Sequence, residues 1–192
     1  MGCHLRPGPC RRRRSPDRSA RSGYPRLCVS GAATPIYACT ITEFARNRAR
    51  GSGPMTDDKP TVLFLCTHNA GRSQMALGFF AHLAGNRAVG WSGGSEPGNE
   101  INPAAVEVMA EVGIDITGEY PKPWTNEIVQ GADVVVTMGC GDTCPYFPGK
   151  RYENWDLPDP AGRPIEAIRP IRDDIEQRVR SLLTELNITV TQ

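Results

Sequence analysis

The chain has 192 residues, 39% of them hydrophobic and 22% charged, with a formal net charge of +1. That make-up fits one globular domain with room for a tail, and the lack of any long apolar run argues against a membrane-spanning helix. The neutrality averages two unlike parts: residues 1–54 hold 11 Arg and no Lys against Asp17 and Glu43, while residues 55–192 hold 11 Lys and Arg against 19 Asp and Glu. The acidic larger part argues against a nucleic-acid partner, whose binding domain is normally basic.

Residues 1–54 show no sustained helical or strand period. They contain Arg11-Arg12-Arg13-Arg14, scattered Pro and Gly, and four of the seven cysteines. Such a segment buries too little apolar surface to offset its ordering entropy. It reads as a disordered Arg-rich extension ahead of a catalytic domain over residues 55–192. A transit segment and a basic binding arm are the competing readings of the same composition. Cys3, Cys10, Cys28 and Cys39 have no metal-ligand spacing.

From Lys59 onward a pattern sets in. Thr61–Leu65 is a short apolar run, as in a buried parallel strand. Arg72–Ala84 reads as a helix apolar on most sides, hence well buried. Ala88–Ser92 is a second strand. Asn102-Pro103 is a helix start, a cap followed by proline at the first helical position, and that helix runs to about Val112 and stops at Gly113. Thr125–Gln130 is a short helix closed by Gly131. Asp133–Met138 is a β-branched third strand, and Arg151–Trp155 is the fourth. The last helix is predicted to begin near Pro170, with Ile171, Ile175, Val179, Leu182 and Leu186 on one stripe. Strands alternating with helices predict an α/β fold with a parallel sheet, whose ligands bind beyond the carboxyl ends of the strands. Cys66 follows the first strand and Cys140 the third, so both fall at that edge.

Cys66-Thr67-His68-Asn69-Ala70-Gly71-Arg72-Ser73 lies between a strand and a helix. In that setting the loop can form an anion nest of backbone N–H groups, reinforced by the helix N-terminus. Arg72 can take two oxygens of a tetrahedral oxyanion in a bidentate fork. The same field favours the nucleophilic thiolate of Cys66, and Ser73 is placed to donate to it. Asn69 and Gly71 are residue types that tolerate left-handed backbone. His68 reads as a plain loop histidine, with anion contact as the alternative.

VLFLCTHNAGRSQMA, with VVVTMGCGDTCP and WDLPDPAG further on, resembles the arsenate reductase branch of the low-molecular-weight protein tyrosine phosphatase fold. The resemblance covers about residues 59–188. It implies a four-stranded parallel sheet flanked by helices and cytoplasmic reduction of arsenate to arsenite. Gln74-Met75 stand where the phosphatases usually carry proline, and Asp159-Pro160 is followed by Ala161 rather than tyrosine. Both differences favour the reductase. The sequence departs from similar reductases at His68, usually glycine, and at Gly71, usually cysteine. Leu77 stands where some carry a glutamate for a potassium ion, so no metal site is carried over.

By its match to the family's Asp-Pro, Asp159 is the expected proton donor for the departing oxygen; a plain Asp-Pro turn is the other reading. Cys140 and Cys144 lie in a run too short of ligands for zinc, which leaves inert thiols or a redox relay. The resemblance implies the relay, from Cys66 to Cys140 to Cys144, although relatives separate the second and third cysteines more widely. It further implies a thioredoxin-like reductant and no organic cofactor. Cysteine usage fits a reducing compartment. The alternatives are a transferase in which mycothiol or glutathione attacks the adduct on Cys66, a phosphatase using the same loop, and a non-catalytic oxyanion-binding module.

Overall fold

The computed structural model describes residues 59–139, 144 and 146–190. The Arg-rich extension, residues 140–143 and Pro145 lie outside the described residues.

Four strands, β1 (Thr61–Cys66), β2 (Val89–Gly94), β3 (Val134–Met138) and β4 (Arg151–Asn154), form one parallel sheet in the order β2-β1-β3-β4. All six residues of β1 are buried, as a central strand covered on both faces must be. Trp155 N–H donates to Thr137 O at 2.8 Å, so the β3–β4 pairing runs one residue further, as the sequence predicts. The chain passes from β1 to β2 on one side and reaches β3 on the other. The carboxyl end of β1 is therefore a switch point, where open α/β sheets form their binding crevice. Cys66 sits there, in register with Gly94 and Met138.

Alternation along the strands sorts the core into two layers. Val62, Phe64, Cys66, Val134, Val136 and Met138 belong to the larger one. It is closed by α1 (Arg72–Ala84), α2 (Pro103–Glu111) and α4 (Ile165–Glu185), while α3 (Asn126–Gly131) supplies Ile128 and Val129 to the other layer with Leu63, Leu65 and Val135. In α1 every residue but Gly78, Ala81 and His82 is buried, in line with its all-round apolar sequence. Asn102 caps α2 by accepting from Ala104 N–H at 3.0 Å, and Gly113 ends the segment at φ +78°. Among the described residues no helix is long and apolar enough to cross a membrane.

One helix start needs correction. The last helix begins at Ile165, five residues before the predicted start, and Pro170 lies inside it. Proline normally marks a first turn because it lacks an N–H. Here the turn before it is held from outside: Ile168 is fully buried, and Arg169 grips Glu111 of α2 through Nε at 2.9 and 3.1 Å and Nη2 at 2.6 Å. Arg172 adds Nη1 to the same carboxylate at 3.0 Å and to Val108 O at 3.0 Å.

The hydrogen bonds from Arg169, then those from Arg172, hold the Glu111 carboxyl below the ordinary carboxylate range. A carboxylate held low when folded adds stability above its unfolded value, and loses it as pH falls through the folded one. Glu111→Gln is therefore expected to lower the thermal midpoint at neutral pH. The gap to wild type should close as pH falls through the lowered range in which the folded carboxyl takes up its proton. A gap that stays constant with pH would assign the effect to packing.

Candidate active site

Three segments meet at the end of β1. The loop from Cys66 to Gly71 is shaped by its own backbone bonds. The carbonyls of Thr67, His68 and Ala70 accept from Glu96, Gly98 and Asn102 N–H at 2.9, 2.9 and 2.8 Å. Asn69 takes the left-handed turn at φ +48°, which asparagine tolerates better than most residues. Gly71, the N-cap of α1, offers no side chain to the first turn. The uncapped N–H groups and the helix dipole favour an anion there.

Cys66 is 3% exposed and is a free thiol. Its Sγ accepts from Asn69 N–H at 3.2 Å and lies 3.0 Å from Ser73 Oγ. Lys122 N–H is an unambiguous donor to Asn69 Oδ1 at 2.9 Å, which turns Asn69 Nδ2 to Ser73 Oγ at 2.8 Å. Ser73 Oγ thus accepts from Asn69 and shares a hydrogen bond with Cys66 Sγ. A backbone N–H and a hydroxyl beside a buried sulfur are groups that can stabilise a thiolate. Gln74 braces the arrangement, giving Nε2 to Asn69 O at 3.1 Å and to Tyr120 O at 3.2 Å.

Arg72 is 7% exposed and reaches across to the 157–162 segment. Its Nη1 donates to Leu157 O at 3.2 Å and its Nη2 to Asp159 Oδ2 at 2.8 Å. The Asp159 side chain is 47% exposed. Its Oδ1 accepts from Ala161 N–H at 2.9 Å. One oxygen thus makes the turn and the other meets the arginine. Pro160 packs on the anion loop so closely that a Cβ on Gly71 would stand 2.8 Å from its Cγ. The cysteine usual at that position in similar reductases has no room here. The resulting cleft of about 360 Å³ is lined by Cys66, His68, Arg72, Glu100, Asp159 and Pro160 among others.

The structure brings Cys66, Asn69, Ala70, Gly71, Arg72, Ser73 and Asp159 together. His68 is exposed at the rim. Thr67 differs from a simple anion ligand, because its hydroxyl donates to Gly139 O at 3.1 Å. Asp156 is exposed and does not line the cleft. Cys144 is half-buried, disulfide-bonded and packed on the layer of Leu65 and Val135, whereas Cys66 belongs to the opposite layer. Sequence reasoning missed the orienting work of Asn69 and Gln74. The available signal was a glutamine at the start of an otherwise apolar helix.

A cysteine, an uncapped helix N-terminus and an arginine at the end of the first strand of a parallel sheet form an arrangement that can hold a tetrahedral oxyanion beside a sulfur nucleophile. Residues 61–192 match the family described as low molecular weight phosphotyrosine protein phosphatase, and the chain belongs to that family. It is 39% identical over 131 residues to arsenate reductase 2 of Staphylococcus haemolyticus, with 66% of this chain and 98% of that one covered. It is 36% identical over 129 residues to the glutaredoxin arsenate reductase of Synechocystis, again with 66% and 98% covered. Among solved structures it is similar to the thioredoxin-dependent arsenate reductase of Corynebacterium glutamicum: TM-score 0.63, 37% identity, 77% of this chain and 68% of that chain covered.

Proposed function

We propose that this chain is a cytoplasmic arsenate reductase with an internal thiol relay. The Cys66 thiolate attacks arsenic while the nest and Arg72 hold the oxyanion. Asp159 gives a proton to the departing oxygen, which leaves as water. The Cys140 thiolate then attacks the Cys66 sulfur. A sulfur–sulfur bond forms, the sulfur–arsenic bond breaks, and its electron pair reduces arsenic(V) to arsenite. Cys144 next attacks Cys140, which frees Cys66 and leaves a Cys140–Cys144 disulfide for a thioredoxin-like dithiol protein.

The observation that carries the redox reading is the contrast between two cysteines. Cys66 is a free thiol in the cleft, and Cys144 is disulfide-bonded on the other layer of the sheet. A phosphatase needs only the first. The described lining of the cleft also includes no Phe, Tyr or Trp against which an aryl ester would stack. A glutaredoxin-coupled route with a small thiol is the second reading, favoured by the name of the Synechocystis relative.

Arsenate turnover with purified thioredoxin and its reductase, run beside aryl phosphate hydrolysis, tests the proposal. Turnover that depends on both arsenate and thioredoxin is expected. Fast aryl phosphate hydrolysis without arsenate-dependent thiol oxidation would replace the reductase by a phosphatase.

The acid has its own test. An incoming oxyanion must take Arg72 Nη2 from Asp159 Oδ2, so Asp159→Asn is expected to bind phosphate at least as tightly as wild type. Its chemical step should slow by roughly 10²–10⁴-fold, the range for a lost general acid. Asp156→Asn should turn over normally, and the reverse outcome assigns the proton to the other carboxylate.

A further inference from the structure

We propose that Gly139 is a positioning residue for the oxyanion site: its bare Cα is the surface against which Arg72 presents its guanidinium. The inference rests on the reading of Arg72 as the oxyanion ligand. Gly139 follows β3 directly and precedes Cys140, with a left-handed φ of +75°. A Cβ built there would stand 2.6 Å from Arg72 Nη1 and 3.5 Å from its Cζ. No ordinary contact is that short.

The arginine cannot yield without leaving its place. It is 7% exposed, and its two terminal nitrogens are committed to Leu157 O and Asp159 Oδ2 at 3.2 and 2.8 Å. On the other side, Gly139 O accepts from Thr67 Oγ1 at 3.1 Å, which fastens this residue to the loop beside the nucleophile. The obstructed atoms are the end of a long side chain and not backbone. An added methyl therefore displaces the guanidinium and leaves the sheet intact. The displaced arginine keeps its charge but loses the aligned fork that a tetrahedral anion needs. Gly139 thus joins two parts of the reaction, since the residue that opens the redox segment also sets the position of the anion ligand.

The test uses the full chain and inorganic phosphate, a tetrahedral anion that the thiols do not reduce. Gly139→Ala is expected to weaken phosphate binding and to lower kcat/KM for arsenate by on the order of 10²-fold, the cost of a small misplacement in a reacting geometry. Two comparisons separate this role from backbone strain. Gly149 has φ +83° with nothing within 4 Å of its missing Cβ, so Gly149→Ala carries the same strain and should bind phosphate as wild type does. Arg72→Lys removes the fork that the methyl meets, so adding Gly139→Ala to it should cost far less than in wild type, a non-additivity expected only of coupled residues.

A Gly139→Ala protein that binds phosphate normally overturns the proposal. So does an equal loss in the wild-type and Arg72→Lys backgrounds. If Gly139→Ala does not fold, Arg72→Lys should restore folding, and failure to do so makes the glycine a purely structural residue. Failure of the reductase reading looks different: phosphate binding would still depend on Gly139 through Arg72, while wild type turned over no arsenate. A wild type that binds no phosphate overturns the inference together with the oxyanion site.

Discussion

Cys66→Ser is expected to abolish arsenate reduction, and Arg72→Ala to reduce it below detection for a different reason. In the first variant the cradle survives. A serine hydroxyl fits the space of the thiol, the Asn69 N–H at 3.2 Å and the Ser73 hydroxyl at 3.0 Å remain beside it, and phosphate should still bind. What is lost is the sulfur itself, both as the nucleophile and as the atom that can later carry a disulfide. In the second variant the thiol remains, and a small neutral alkylating reagent should still modify Cys66. The anion then meets only the nest and the helix terminus. By comparison with removal of an oxyanion donor, roughly 3 kcal/mol or more of transition-state stabilisation goes with it. Asp159 also loses its partner at 2.8 Å, so the acid loop loosens along with the site. Phosphate titration and single-turnover kinetics separate the two cases. Near-normal turnover in either variant would place the active centre elsewhere on the chain.

Much of this site was legible because the chemistry is local in sequence. Cys66, Arg72 and Ser73 fall within one strand–loop–helix junction, and the period change around them fixes where that junction lies. β3 was legible for the same reason, its β-branched run being bounded by the end of α3 and by Gly139. The start of α4 was not. Proline at 170 mimics a first turn, and the interactions that hold the preceding turn come from Glu111, far away along the chain. The network behind the nucleophile was also hidden. Lys122 N–H, which fixes the Asn69 amide that donates to Ser73, lies 53 residues from Asn69. Nothing in the spacing of residues announces a backbone donor at that distance. Asp159 lay between these cases. The residues said only that Asp-Pro makes a turn, and its place opposite Arg72 needed either the family resemblance or the fold.

The relay makes the other large prediction, because each of its cysteines owns a separate step. After one arsenate turnover without reductant, wild type is expected to hold a Cys140–Cys144 disulfide and a free Cys66. Cys140→Ser should stop earlier, with arsenic still on Cys66, since no internal thiol reaches that sulfur. Cys144 packs on the opposite layer of the sheet from Cys66, so the relay gives it no part in the first attack. Cys144→Ser should release arsenite once and then stall as a Cys66–Cys140 disulfide, with Cys66 buried at 3% exposure and hard for a protein reductant to reach. Exchange of this kind depends on which sulfur the attacking thiolate can approach. Peptide mass mapping after a single turnover reads each species directly. Full arsenate reduction by both serine variants with mycothiol or glutathione, with no internal disulfide in wild type, would sink the relay and leave Cys66 as the one cysteine the reaction uses.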